Sequence, residues 1–204
     1  MIHYPASGSS RFLLVLAHGA GAGQRHPFMV SVARVLAERG IDVVTFDFPY
    51  MQQKRKAPDK APVLEAAFRS AIAEARALAS PRHALFIGGK SMGGRIATHL
   101  AAATTDADGP PVRGVVALGY PLHPPGKPEQ LRTAHLPAID VPVLIVQGER
   151  DAFGTPSELR PVIRTMRARV TLHVIDGGDH SLAVRRATDY SALADTVARW
   201  IQEV

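Results

Sequence analysis

The chain has 204 residues, of which 46% are hydrophobic, 24 are Lys or Arg, 18 are Asp or Glu, and none is cysteine. A chain of this length can bury roughly 70% of its unfolded surface, so one domain over residues 1–204 is expected. The lack of cysteine excludes a disulfide framework, a thiolate nucleophile, a cysteine zinc site and an iron–sulfur cluster. The net charge of +6 suits an anionic partner or merely a basic surface, and no nucleic-acid partner is expected.

The longest purely apolar run, Phe12–Ala17, is far shorter than the roughly 20 residues that cross a bilayer. Behind Arg11 it imitates a signal peptide, but such a core needs at least about seven residues. We therefore expect a cytoplasmic protein without a membrane partner. The sequence does not predict the oligomeric state.

Apolar runs of strand length alternate with stretches of helical period, which is typical of a parallel sheet covered by helices on both faces. Each run is rich in Val, Ile, Leu or Phe, as strands buried on both faces require. Six strands are predicted, over Phe12–Ala17, Asp42–Phe46, 83–88, Val112–Leu118, 141–147 and Val170–Ile175.

The first of these strands leads into a glycine-rich loop, HGAGAG, at residues 18–23. Glycines let a backbone N–H turn toward a developing oxyanion, and the position of Ala20 makes its N–H a candidate donor. A dinucleotide-binding fingerprint is the alternative, but its third glycine would stand where Gln24 or His26 stands. His18 is expected to form structural hydrogen bonds rather than to act as a general base.

A helix that begins at Pro27 and ends at Gly40 connects the first strand to the second. The next connection, residues 47–62, is long and emerges at the carboxyl edge of the sheet, where open α/β sheets bind ligands. It carries four basic side chains, which either flank the cleft and attract an anionic substrate or form a solvated face. The sequence leaves both readings open for Lys54, Arg55, Lys56 and Lys60.

The third strand follows a helix whose apolar stripe covers residues 64–78, and it ends at GKSMG, residues 89–93. This matches G-x-S-x-G between a strand and an amphipathic helix over Met92–Ala103, where small neighbours permit a sharp turn that exposes a serine nucleophile. The helix adds its positive dipole end beneath Ser91. The N–H of Met92 is the second candidate oxyanion donor. A phosphate-binding P-loop would need a glycine in place of Ala84 and is rejected.

Asp151 follows the fifth strand and His180 follows the sixth, with helices predicted over 157–168 and 193–204. Serine, aspartate and histidine, in that order and each just beyond a strand, form the order of the α/β-hydrolase triad. Asp151 is preferred as the acid because it has more reach than Glu149. Two other acids at this edge are less suited. Asp179 adjoins the histidine, and Asp176 precedes two glycines. The remaining histidines lack metal-ligand spacing, so no metal and no cofactor are predicted.

Over nearly its whole length the chain resembles the α/β-hydrolase superfamily. The strings HGAGAG, HPFM, DFPYM, GGKSMGGR, GYPLHPPGKP and VQGERDAFG are similar to a small branch of dienelactone-hydrolase-like bacterial proteins. That branch is similar to the hydrolase-like domain of a testis-expressed animal protein and of a subunit of the nonspecific-lethal chromatin complex. The resemblance implies the α/β-hydrolase fold with a triad of Ser91, Asp151 and His180 and backbone donors at Ala20 and Met92.

The chain departs from this family in two ways. Dienelactone hydrolases proper use a cysteine nucleophile, which this chain lacks, and this argues against that particular activity. The connection over 119–140, where larger relatives insert a helical cap, is short and rich in proline. We therefore expect a trimmed, mostly parallel sheet of six or seven strands, helices on both faces, and no large cap domain.

Two functions follow from these residues. The first is a serine hydrolase that cleaves a carboxylic ester or a related small acyl compound through an acyl-enzyme. The second is an interaction module that keeps the hydrolase fold without catalysis. The predicted triad favours the hydrolase, with a small-molecule ester or acyl compound as its partner.

Overall fold

The computed structural model describes residues 1–80, 82–103, 111–183 and 190–204. Its centre is a seven-stranded sheet in the order β1-β3-β2-β4-β5-β6-β7, in which only β1 is antiparallel to its neighbour. The strands are β1 (Ile2–Tyr4), β2 (Phe12–Ala17), β3 (Asp42–Phe46), β4 (Ala84–Lys90), β5 (Val112–Leu118), β6 (Val143–Gly148) and β7 (Val170–Ile175).

Six α-helices accompany the sheet: α1 (Pro27–Glu38), α2 (Pro49–Gln52), α3 (Ala61–Leu78), α4 (Met92–Ala103), α5 (Pro156–Ile163) and α6 (Ser191–Glu203). Side chains alternate across each strand, so β2 turns Leu14 and Leu16 to one face, and Leu13 and Val15 to the other. The first face packs against α1 and α6, and the second against α3, α4 and α5. This architecture confirms the predicted fold class.

The strand order of the sheet reverses at the carboxyl ends of β2 and β4. The chain passes from β2 to β3 through α1 on one face, and then crosses through α3 on the other face to β4, which pairs with the opposite side of β2. Open α/β sheets bind ligands where the strand order reverses in this way. The glycine loop after Ala17 and the turn at Ser91 both start at that point.

The structure adds one strand that the sequence analysis did not find. β1 has only three residues and pairs with Val43–Thr45 in the antiparallel direction. A run this short shows too little periodicity to be recognised before its partner is known. The sheet therefore has seven strands, the larger of the two expected numbers.

Two helix expectations need correction. The helix expected over 157–168 begins one residue earlier, where Thr155 and Glu158 form a capping box. It ends five residues earlier, because the amides of Thr165 and Met166 bond three residues back in a tightened turn. Leu78 was placed in the buried stripe of α3, but it is 54% exposed at the last turn of the helix. Among the described residues, no helix combines the length and apolar character needed to cross a membrane.

Candidate active site

Ser91 lies in the sharp turn between β4 and α4, and its backbone has a φ of +51°, which non-glycine residues rarely adopt. The turn is possible because two glycines let backbone segments approach closely. A Cβ atom on Gly89 would lie 2.5 Å from the carbonyl oxygen of Ala17, and one on Gly93 would lie equally close to the same oxygen. The amide of Ser91 donates to the carbonyl oxygen of Leu118 at 2.9 Å, which ties the turn to β5.

His180 extends from the loop after β7 toward this serine. Its Nε2 atom lies 2.8 Å from Ser91 Oγ, which is hydrogen-bond distance. Its Nδ1 atom lies 2.8 and 3.0 Å from the two carboxylate oxygens of Asp151. The ring also packs against that of Phe153, with the ring centres 4.1 Å apart. A hydroxyl, an imidazole and a carboxylate thus form one continuous chain of hydrogen bonds.

Asp151 is almost completely buried, so its charge depends on hydrogen-bond donors within the protein. The amide of Phe153 donates to Oδ1 at 2.8 Å, and Gln147 Nε2 donates to Oδ2 at 2.9 Å. Gln147 is itself fully buried, and its side-chain oxygen accepts from the amide of Tyr120. The glutamine therefore binds the same carboxylate oxygen that lies nearest to the imidazole and fixes its position.

The other acids at this edge have different partners. Glu149 accepts from the amide of Gly177 at 2.7 Å, on the exposed turn after β7. Asp179 accepts from both the amide and the hydroxyl of Ser181, and these hydrogen bonds lower the pKa of its carboxyl group. Neither carboxylate forms a hydrogen bond with His180. Asp151 is the acid that the structure brings to the histidine.

The glycine loop after β2 lies directly over the nucleophile turn. A Cβ atom on Gly19 would be 3.6 Å from the Cβ of Ser91. The carbonyl of Gly19 accepts from His18 Nδ1 at 2.7 Å, while His18 Nε2 accepts from the amide of Phe48 at 3.1 Å. His18 thus bridges the loop and the end of β3, as expected of a structural histidine. Burial lowers its pKa, so the ring is neutral.

The two expected oxyanion donors both line the same cavity as Ser91. The carbonyl of Gly19, which shares a planar peptide group with the N–H of Ala20, accepts from His18 Nδ1 at 2.7 Å and from the Tyr50 hydroxyl at 3.3 Å, and these contacts orient that N–H. Met92 is the first residue of α4, and an amide at that position has no acceptor within its own helix. Each of these N–H groups is therefore suited to an oxygen atom of a ligand.

Lys90, the residue before the serine, contributes a half-buried cation that was not assigned from the sequence. Its Nζ donates to the carbonyl oxygen of His180 at 2.5 Å and lies 5.8 Å from the centre of the Phe28 ring. Burial lowers its pKa to about 8, against the opposing effect of Asp151 and Asp179. The ammonium thereby anchors the loop that carries the histidine.

A cavity of about 500 Å³ opens onto Ser91 and His180. The sequence left open whether the cations of residues 54–60 border the cleft or form a solvated face. The residues of this loop that line the cavity are Pro58 and Asp59. Arg55 turns to Asp59, with a separation of 2.6 Å. The arginines that line the cavity come from elsewhere, namely Arg95 on α4 and Arg132 in the connection after β5.

The structure therefore brings together all five residues that the sequence predicted: Ser91, Asp151, His180, Ala20 and Met92. Sequence reasoning missed Gln147, although a polar residue at the end of an apolar strand was a usable signal. It also missed Lys90, Arg95 and Arg132, whose spacing shows no pattern. Within the described ranges, no group of three or more His, Asp or Glu side chains could hold a metal ion.

Comparison with known proteins agrees with this fold. A family model described as an alpha/beta hydrolase domain matches residues 10–204. The chain is similar to dienelactone hydrolase from Anabaena variabilis, with 19% identity and a TM-score of 0.74 over 98% of this chain and 88% of that chain. It is also similar to the monoacylglycerol lipase of Paleococcus ferrophilus, with 16% identity and a TM-score of 0.74 over 99% and 97% of the two chains.

A third similar structure is that of Est1E from Butyrivibrio proteoclasticus, which has ferulic acid bound. The identity is 16% and the TM-score 0.72, over 95% of this chain and 89% of that chain. At such identities the likeness to these structures concerns the fold alone.

Proposed function

The chain belongs to the alpha/beta hydrolase domain family, and from this premise we propose that it is a serine hydrolase that cleaves a carboxylic ester or a related small acyl compound. The observation that carries the proposal is the chain of hydrogen bonds from Ser91 Oγ through the imidazole of His180 to the buried carboxylate of Asp151. Such an arrangement activates a hydroxyl that is otherwise a poor nucleophile at neutral pH.

Acylation begins when Ser91 Oγ attacks the carbonyl carbon of the ester and its proton passes to His180 Nε2. The resulting imidazolium is stabilised by Asp151, which accepts from Nδ1. The oxyanion accepts hydrogen bonds from the N–H groups of Ala20 and Met92, each worth about 3 kcal/mol when well placed. The tetrahedral intermediate then expels the alkoxide, which takes the proton from Nε2 and leaves as the alcohol.

Deacylation repeats these steps with water as the nucleophile. His180 Nε2 takes a proton from the water as its oxygen attacks the acyl carbon, and the same two amides stabilise the second oxyanion. Collapse of this intermediate breaks the bond to Ser91 Oγ, which recovers the proton from the histidine. The products are a carboxylic acid and the free enzyme.

The proposal is tested with a fluorophosphonate probe and with p-nitrophenyl butyrate. We expect the probe to label one site, which peptide mass spectrometry identifies as Ser91. The Ser91→Ala variant should not be labelled, and its kcat should be about 10⁶-fold lower than that of the wild type. Ser70→Ala, on the exposed face of α3, is the matched control and should label like the wild type. A protein that is folded but neither labelled nor active would be an interaction module instead.

A further inference from the structure

We propose that Arg95 and Arg132 form a carboxylate-binding subsite in this cavity, and that the preferred substrate is an ester with a second, ionised carboxyl group. This inference rests on the proposed serine hydrolase function and names the substrate class of the same site. Both arginines line the cavity that contains Ser91.

Arg95 lies one helical turn beyond the nucleophile, and its amide donates to the carbonyl oxygen of Ser91 at 3.0 Å. Long side chains on a helix lean back toward its N-terminus, which here is the end that carries the serine. Arg132 reaches the cavity from the connection after β5. Its amide donates to the carbonyl oxygen of Leu122 at 2.8 Å, and its own carbonyl accepts from the hydroxyl of Tyr120 at 2.6 Å. The two arginines thus come from different segments of the chain, and hydrogen bonds fix the backbone of each.

The positive charges of these arginines are not balanced by the protein around them. Neither forms an ion pair with a carboxylate among the described residues. Burial, together with repulsion from Arg95, lowers the pKa of Arg132. Two cations that repel each other in one cavity favour binding of an anion, because the anion offsets the repulsion between them.

The other titratable groups near the pair are neutral or already partnered. Burial raises the pKa of Tyr120, so its phenol stays protonated. Burial lowers the pKa of His135 to about 4, with further lowering from His99 and Arg95, so its ring carries no charge near neutral pH. Among the described residues that line the cavity, Asp59 has the one carboxylate; its Oδ1 pairs with Arg55 at 2.6 Å, whereas its Oδ2 is buried without a hydrogen-bond partner.

The shape and chemistry of the cavity suit an organic acid. Much of the remaining lining is apolar, including Phe28, Met29 and Leu64, which would contact a hydrocarbon chain. Guanidinium groups bind carboxylates through paired N–H donors in a fixed fork. A substrate with an ester at Ser91, a carboxylate at the arginines and a short hydrocarbon chain between them would therefore match both the polar and the apolar parts of the lining.

The test compares charged and neutral esters of similar size. The first pair is p-nitrophenyl hydrogen adipate against p-nitrophenyl hexanoate, and the second is 4-acetoxybenzoate against 4-methylphenyl acetate, which places the carboxylate on the alcohol side. For at least one pair we expect kcat/KM to favour the charged ester. The selectivity ratio is kcat/KM for the charged ester divided by kcat/KM for the neutral ester. This ratio should fall about tenfold in Arg132→Gln or Arg95→Gln, and about 100-fold in the double variant.

The matched control removes cations that lie outside the cavity, in the triple variant Lys54→Gln, Lys56→Gln and Lys60→Gln. Its ratio should equal that of the wild type. The inference is overturned if the arginine variants keep the wild-type ratio while the neutral esters are cleaved, or if the ratio falls only in the lysine variant.

Failure of the proposed function gives a different result. In that case neither ester of a pair is cleaved and Ser91 is not labelled by the fluorophosphonate. The subsite is then tested without turnover, by calorimetric titration of adipate into the wild type and the double arginine variant. Binding that is lost in the variant supports the subsite, and binding that is absent or equal in both overturns it.

Discussion

Asp151 shows how the surroundings of a single residue set its role. Its carboxylate is buried and accepts hydrogen bonds from the amide of Phe153, from Gln147 and from His180. Glu149, two residues earlier, is exposed and accepts from Gly177 on a neighbouring turn. Two acids of the same loop thus differ in their partners, because only Asp151 reaches the imidazole.

We expect Asp151→Asn to lower kcat by roughly 10⁴, because an amide favours the wrong tautomer of His180 and cannot stabilise its cation. Steady-state kinetics with p-nitrophenyl butyrate give the measurement. Glu149→Gln is the matched control and should cost less than about tenfold, since it leaves all contacts of the histidine intact. Losses in the opposite order would show that Asp151 is not the acid of the triad.

Lys90 illustrates the cost of partly desolvating a charge beside the site. Its pKa of about 8 in the folded protein lies below the ordinary value of 10.5 because burial disfavours the ammonium form. Between these two pH values the unfolded chain holds a proton that the folded protein has released, so this group makes stability rise with pH there. At pH 7 both states are charged, and the folded state bears the full desolvation cost.

Lys90→Met should therefore be more stable than the wild type at pH 7, by up to about 3 kcal/mol, which is the free energy that corresponds to this difference in pKa. The lost hydrogen bond to the carbonyl of His180 reduces this gain. The advantage should shrink between pH 8 and pH 10.5, as measured by urea unfolding. Lys56→Met, at an exposed position, is the control. A stability difference that does not change over that pH range would contradict the assignment.

At the scale of elements, the junction of β4 and α4 determines where the serine stands. The turn is packed against the end of β2 so closely that a Cβ atom on Gly93 would lie 2.5 Å from the carbonyl oxygen of Ala17 and 2.6 Å from that of His18. Both contacts are with backbone, which cannot rotate away as a side chain does. The start of the helix and the ends of the two strands are therefore in direct backbone contact.

Gly93→Ala should lower the free energy of unfolding by at least about 1–3 kcal/mol, since the backbone must shift to admit the methyl group. It should also lower kcat, because the same shift moves the amides of Ala20 and Met92. Gly21→Ala is the control for stability, as its Cβ would meet nothing within 4 Å, and a change within about 0.5 kcal/mol is expected. Chemical denaturation of both variants gives the measurement. Equal losses of unfolding free energy in Gly93→Ala and Gly21→Ala would refute the packing argument.

At the scale of the whole molecule, the helices form two layers around the sheet and leave the cavity at its carboxyl edge. The described connection over 119–140 contributes Pro121 and Arg132 to the wall, and its helical content is the 3₁₀ turn Leu136–Ala138. No cap helix lies over the cavity in this part of the chain. Long acyl chains would thus have to pass two guanidinium groups whose desolvation is unfavourable.

We expect a preference for short acyl groups. Across a series of p-nitrophenyl esters from acetate to dodecanoate, kcat/KM should be at least about tenfold higher for chains of two to six carbons than for the twelve-carbon chain. The measurement is made below the micelle concentration of each ester, with Ser91→Ala as the background. Efficient cleavage of the dodecanoate would contradict an uncapped site.

Much of this molecule follows from local pattern. Apolar runs and helical periods predicted six of the seven strands, and the serine, aspartate and histidine were found because each stands just beyond a strand whose end could be read from the sequence. Such features depend on neighbours in the chain, through backbone preference and alternating burial. Local pattern could not predict the strand Ile2–Tyr4, since this strand forms only through pairing with Val43–Thr45.

Contacts between segments that are far apart in the chain were decided only by the tertiary structure. Lys90 meets the carbonyl of His180 across 90 positions, and Gln147 meets Tyr120 across 27. Arg95 and Arg132 share a cavity although one lies on a helix and the other in a loop, while the four cations that stand together in sequence at 54–60 do not line it. The order of residues along a chain therefore determined which elements form and which chemical groups they carry. The direction in which a long, charged side chain points was decided by packing, because burial and charge depend on everything around it in space.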